Sequence, residues 1–225
     1  MPGKHILTGA VSRRSFFTAL AASCLTLAGA PLSAFAAPGK KAIVVYFSMP
    51  EKTTPGPMSR EEENSTVTVS GKVYGNTEFV AGLIQQHTGA DIFRLEPKTP
   101  YPMNHERLLR AAQREQREKA FPEIAGKIEG FASYSAVFLG YPIWWYDMPR
   151  ILYTFLRDYD LSGKKVYPFV THGGSSFTGT IDKIAALAPK AEVVRDGLSI
   201  YRSRVGGADP FVTAWLTRVG WGLAS

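Results

Sequence analysis

The chain has 225 residues, 45% of them hydrophobic and 20% charged, with one cysteine and a formal net charge of +7. That balance supplies enough apolar material for a globular core and excludes both a disordered segment and a disulfide-held scaffold. With the basic leader read below set aside, the excess of base is mild and excludes a nucleic-acid-binding balance.

Residues 12–20, SRRSFFTAL, place two arginines before a bulky apolar stretch, and AASCLTLAGAPLSAFA follows. Ala34, Phe35 and Ala36 satisfy the small-x-small rule of signal peptidase. Gly29 and Pro31 break the apolar run, which is short for a membrane span. The segment resembles a twin-arginine export signal cut after Ala36, which predicts a leader over residues 1–36 and a periplasmic or otherwise extracytoplasmic protein. An ordinary secretory signal, an uncleaved anchor and a lipoprotein cut at Cys24 are the competing readings. The twin-arginine route carries folded proteins, which suits a cofactor loaded before export. Residues 37–225 are then expected to form a single domain with no thiol and no membrane span. Loss of Lys4, Arg13 and Arg14 leaves 23 basic and 19 acidic side chains, a net charge of +4.

AIVVYF (42–47), AVFLGYPI (136–143) and VYPFVTHGG (166–174) are short, continuous apolar runs that suit strands buried on both faces. ADIFRLEP (90–97) alternates and suits a strand nearer an edge, and EVVRDGLSI (192–200) reads as the last strand. Helical spacing recurs between the strands. Phe79, Val80, Leu83, Ile84 and His87 follow GNT (75–77), and residues 104–120 open on an Asn cap. PRILYTFLRDY (149–159) puts proline in a first turn. GTIDKIAALAP (179–189) and ADPFVTAWLTRVG (208–220) complete the set, the last with an Asp cap at Asp209. Glu106/Arg110 and Glu115/Lys119 read as i,i+4 pairs on a solvated helix face. Strand and helix alternate about five times, which predicts a doubly wound three-layer α/β sandwich with right-handed crossovers.

In such sheets ligands bind beyond the carboxyl ends of the strands. Three loops stand there. The first leads from Ser48 to Gly75, Asn76 and Thr77, where free N–H groups and the helix dipole favour an anion. It is neither a P-loop nor a dinucleotide fingerprint. The second, GYPIWWYDMPR (140–150), places two tryptophans and a tyrosine at the ligand end of the sheet, where large aromatics suit a flat partner. The third, THGGSSFTG (171–179), brings backbone N–H groups close to a ligand's polar edge. An anion cradle, an aromatic platform and a polar clamp match a planar ring with a phosphate tail.

With GNT, GYPIWW and THGGS in this order, residues 41–223 resemble the flavodoxin family, in its branch with a GYPIWW loop. The resemblance implies a flavodoxin-like, five-stranded parallel sheet of order 2-1-3-4-5 and one bound FMN. It implies that Ser48, Asn76 and Thr77, with the Gly75 backbone, hold the phosphate. Pro142, Ile143, Trp144 and Trp145 would flank the flavin ring, and Thr171, Gly173, Gly174 and Ser175 would line its other side. The chain departs from the family in the long excursion between Ser48 and Gly75. Residues 49–73 read as an insertion in the phosphate loop. Its first half is rich in proline and charge and predicted irregular; STVTVSGKVY (65–74) predicts a hairpin turning at Ser70-Gly71. The ends must converge if both halves serve one phosphate.

Function follows in three readings. An exported FMN electron carrier needs no acid or base from the protein. A two-electron quinone or NAD(P)H reductase on the same fold would need room for a nicotinamide. A hydrolase or non-redox binding module would rest on Ser175, Ser176 and His172, with no nucleophile elbow and no orienting acid in the sequence. His87 and His105 sit on helices without metal-ligand spacing. The basic balance of residues 37–225 predicts an acidic redox partner or an anionic membrane face.

Overall fold

In the computed structural model, which describes residues 41–222, β1 (Ala42–Tyr46) is buried along its whole length. The leader expected over residues 1–36 lies outside the described residues. Successive side chains of β1 serve opposite faces. Ile43, Val45 and Phe47 enter one core, whereas Ala42, Val44 and Tyr46 enter the other. A strand sealed on both sides must be apolar throughout, which is why it reads as an unbroken run. Full burial of each valine or isoleucine is worth about 1.5–3 kcal/mol.

The chain then leaves the sheet. Residues 50–61 are irregular, a short 3-10 turn covers Glu62–Asn64, and β2 (Thr66–Val69) and β3 (Lys72–Gly75) form an antiparallel hairpin. Ser70 and Gly71 both have positive φ, 50° and 77°. That is the two-residue primed turn whose twist matches paired strands. β3 runs directly into α1 (Asn76–Thr88), capped at its far end by Gly89 with φ 65°. β4 (Asp91–Arg94) ends sooner than the alternation suggested. Glu96–Pro97 instead forms β5, which pairs with β6 (Ile124–Ala125) outside the main sheet. Between them lies α2 (His105–Glu118), whose Asn104 cap accepts the Arg107 N–H at 3.1 Å.

β7 (Ala136–Pro142), α3 (Arg150–Asp158), β8 (Lys165–His172) and α4 (Thr180–Leu187) follow. The last strand is split into β9 (Glu192–Val193) and β10 (Leu198–Tyr201), both pairing with the same edge of β8. The break faces Tyr167 and Pro168. Proline has no N–H to donate, so the ladder loses a donor there. α5 (Asp209–Arg218) closes the fold. The sheet order β10-β8-β7-β1-β4 is the expected 2-1-3-4-5, parallel throughout, with β9 as a fragment of the fifth strand. α2, α3 and α4 cover one face, and α1 and α5 the other. Among the described residues no helix is long and apolar enough to cross a membrane.

Three local expectations change. Ala208 caps α5, and Asp209 lies inside its first turn, where its carboxylate meets His87 Nε2 at 2.6 Å. Pro149 is the cap of α3 rather than a first-turn residue. Glu106 does pair with Arg110 at 3.2 Å, but Glu115 turns away from Lys119 and accepts the Tyr101 hydroxyl at 2.7 Å.

Gly140 is packed so tightly that a Cβ there would overlap the ring of Phe169 on β8, itself fully buried. Gly140→Ala is expected to destabilise the fold by about 1–3 kcal/mol, read as a lower midpoint in urea denaturation with an unchanged slope.

Candidate functional site

The carboxyl ends of β1, β7 and β8 open into one cavity of about 520 Å³. Ser48 and Met49 enter it from β1, and Asn76 and Thr77 from the first turn of α1. Residues 142–146 after β7 and 171–175 after β8 complete the ring of loops. Eleven of the twelve expected site residues thus line one space. Gly75 does not line it. It lies beside Ser48, so close that a Cβ would overlap the serine hydroxyl.

The first loop converges as its ends require. Residues 64 and 65 of the insertion reach back to the start of α1. The Asn76 N–H donates to the Ser65 carbonyl at 2.8 Å, and Asn76 Nδ2 donates to the Asn64 carbonyl at 3.1 Å. Glu78 accepts the Gly75 N–H at 3.0 Å. The Asn64 carbonyl fixes which way the Asn76 amide faces, since only Nδ2 can donate to it. Asn76 Oδ1 is then left buried without a partner. A buried acceptor with no donor is costly unless a ligand supplies one. Thr77 Oγ1 lies 2.8 Å from Thr171 Oγ1, a buried bond that ties α1 to the end of β8.

The second loop is held from beneath. Trp144 stands edge-on to Phe47 and Tyr101, at ring distances of 5.3 and 5.5 Å. Trp144 and Asp147 exchange backbone hydrogen bonds of 2.8 and 3.0 Å across a two-residue turn. The turn residues are Trp145 and Tyr146, at φ 49° and 61°. Left-handed backbone at two successive aromatics costs roughly 1–2 kcal/mol each and persists only where the surroundings impose it. Those surroundings are visible. The Asp147 carboxylate accepts the Met148 N–H and the Tyr153 hydroxyl and pairs with Lys183 at 2.8 Å. Burial, and then the Asp147 charge, push the Tyr153 phenol up to about 12. The buried Arg150 donates to the carbonyls of Lys119 and Ala120 at the end of α2. Trp145 bonds α2 in turn, Nε1 to the Leu109 carbonyl at 3.3 Å.

The third loop turns on His172. Its Nδ1 accepts the Gly174 N–H at 2.9 Å, so the neutral ring carries its proton on Nε2 and donates it to Ser199 Oγ, also at 2.9 Å. Ser199 passes the chain to Ser176. Burial lowers the His172 pKa from 6.5. Nδ1 thus faces a backbone donor, and no carboxylate orients the ring. That arrangement is not a hydrolytic triad.

Several lining residues were not singled out from the sequence. α2 forms a wall through His105, Leu108, Leu109 and Ala112. Glu51, from the insertion, meets His105 Nδ1 at 2.8 Å, and its side chain is 6% exposed. Burial raises its carboxyl pKa, and the His105 contact opposes that. Arg202, just after β10, also lines the cavity. Only the helical period of α2 carried a signal for any of these, through its apolar stripe.

A family model described as flavodoxin matches residues 67–216. No curated relative matches. Among solved structures, a protein of Bacteroides eggerthii assigned as a flavoprotein is 26% identical with a TM-score of 0.61, covering 81% of this chain and 99% of that one. A similarly assigned protein of Bacteroides uniformis is 22% identical at a TM-score of 0.60, covering 80% and 99%. A flavoprotein of Lactobacillus acidophilus in complex with FMN is 18% identical at 0.52, covering 75% and 97%.

Two outcomes follow from the loops. Tyr146 is 73% exposed, so Tyr146→Asn, which tolerates left-handed backbone, is expected to raise stability by up to about 1 kcal/mol in chemical denaturation. His172 binds its proton less readily folded than unfolded. Its contribution to stability is therefore present above the unfolded value near 6.5 and is lost as pH falls through the folded one. His172→Gln should flatten the pH dependence of the melting temperature below that point, compared with the wild type.

Proposed function

The chain belongs to the flavodoxin family, and from that premise we propose that it is an FMN-dependent electron-transfer protein that works outside the cytoplasm. The observation that carries the reading is the single cavity that joins the start of α1, an aromatic loop and a glycine-rich loop at the carboxyl ends of the strands. FMN is the cofactor. The residues present fit it: Asn76 Oδ1 needs a hydrogen-bond donor, and the ribityl chain of FMN carries hydroxyls. Beyond Asn76, whose N–H is taken by Ser65, the first-turn N–H groups of α1 favour an anion such as the phosphate. Asn76 Oδ1 suits a hydroxyl-bearing part of the ligand better than a fully ionised phosphate, which only accepts.

When bound, FMN supplies one- and two-electron chemistry. The chain does the rest. Ser48 and the start of α1 would hold the phosphate end, and Pro142 to Trp145 would flank the ring. The N–H groups of Gly173 and Ser175 would meet the ring's polar edge, that of Gly174 being taken by His172, and the wall of α2 would exclude water. The arginine pair at residues 13 and 14, ahead of an apolar stretch ending Ala-Phe-Ala, supports export with FMN already in place. The net positive charge of residues 37–225 supports an acidic redox partner.

One observation favours a second reading, a two-electron reductase. Glu51 and His105 stand together in the cavity wall, and such a pair can hold and release a proton where a substrate would sit. The two readings separate in one experiment. The purified protein is expected to be yellow and to release FMN on heating in an equimolar amount. Mixed anaerobically with NADPH it is expected to keep its colour, and to lose it with dithionite. Rapid bleaching by NADPH would select the reductase, and a colourless protein that takes up no FMN would remove both.

A further inference from the structure

The register of the fifth strand decides what stands beside the glycine-rich loop. β10 pairs with β8 in parallel, with Tyr201 opposite His172. The next residue on each segment, Arg202 and Gly173, therefore leave the sheet side by side. They come close: a Cβ on Gly173 would lie 3.2 Å from Arg202 Nη1 and 3.5 Å from its Cζ. Glycine at 173 leaves the guanidinium that room. Arg202 opens the 3-10 turn Arg202–Gly207, which packs against α1, β2 and β8 and buries Val205 completely. The backbone that carries the guanidinium is thus anchored.

Among the described residues, Arg202 is the only lysine or arginine that lines the cavity. The same loop holds one other group that could become positive, His172. Burial lowers its pKa, and a proton on Nδ1 would cost the bond from the Gly174 N–H. Glu51, the only carboxylate among the lining residues, is engaged with His105 of α2. Among the described residues, arginine ion pairs involve Arg94, Arg110, Arg157, Arg195 and Arg218, and Arg202 joins none of them. A half-buried guanidinium so placed presents a permanent positive charge to whatever lies against residues 173–175.

On the FMN reading, what lies there is the polar edge of the ring, with N1 and the C2 carbonyl. Two electrons and one proton, the proton on N5, convert the neutral oxidised ring to a reduced one whose negative charge is shared by N1 and the C2 oxygen. Backbone N–H groups bond both forms of that edge, whereas a full cation favours the anionic one. We propose that Arg202 is the counter-ion of the reduced ring: it makes the protein bind reduced FMN in preference to oxidised FMN and so raises the reduction potential of the flavin. The proposal rests on FMN as the cofactor.

The test loads the full chain with FMN and measures the two-electron midpoint anaerobically at neutral pH, with dithionite as reductant and a reference dye. The affinity for oxidised FMN is measured separately by flavin fluorescence. A charge-assisted contact at a half-exposed site is worth roughly five- to thirtyfold. Arg202→Gln is expected to weaken reduced FMN by that factor beyond any change in oxidised FMN, and each tenfold lowers the midpoint by about 30 mV. Arg202→Lys should keep most of the wild-type midpoint, because the charge remains. Gly173→Ala, which displaces the guanidinium without removing it, should give part of the fall. An unchanged midpoint in Arg202→Gln, whether or not both forms of FMN bind more weakly, overturns the proposal while the cofactor assignment stands. If that variant does not retain FMN, Gly173→Ala decides in its place, and an unchanged midpoint there overturns the proposal equally. A wild type that takes up no FMN removes the cofactor assignment and the proposal with it.

Discussion

Ser48 lies just beyond the end of β1, and Gly75 packs so close that a Cβ there would overlap its hydroxyl. Nearly everything else about the site depends on that approach. It forces the residues between them to leave and return to one point, so the segment must close on itself as a hairpin over an irregular base. It requires glycine at 75, because any side chain would collide with Ser48. It also places the first turn of α1 beside the ends of β1 and β8, where Thr77 can reach Thr171. The long segment is therefore part of the cavity wall. It supplies Glu51 and residues 64 and 65, and the backbone carbonyls of the last two orient the Asn76 amide.

Much of this was legible because it is local or periodic. A strand sealed by helices on both faces has to be apolar at every position, and Ala42 to Tyr46 say so directly. The hairpin turn needs two residues that accept positive φ, and Ser70-Gly71 is a recognisable pair. The aromatic loop was visible as large side chains that no strand or helix pattern could absorb. The split between its tryptophans was not visible. Which one is anchored depends on Phe47 and Tyr101, residues nearly a hundred or some forty positions away along the chain.

The parts that stayed hidden share one physical cause. Glu51 and His105 are 54 positions apart, and each reads alone as an ordinary charged or capping-region residue. Arg202 follows the fifth strand with no motif around it, and only the fold brings it into the cavity wall. The caps misled for a related reason. Asp209 looks like a cap until His87, on another helix, claims its carboxylate. The break in the fifth strand depends on a proline in the neighbouring one. Pairings between distant segments decide all of these, and a single sequence records each partner without recording that they meet.

The divided fifth strand also bears on self-association. An edge strand exposes a row of unpaired backbone groups to which another chain can add. Here the edge of β8 is covered by two short pieces, β9 and β10, with a gap at residues 194–197. Within that gap, Arg195 pairs with Asp182, and Asp196 pairs with Arg218 at 2.9 Å. An incoming strand would find no continuous ladder and would have to strip two ion pairs to make one. Pro168, in the strand next to the edge, thus also interrupts the border along which another chain could add.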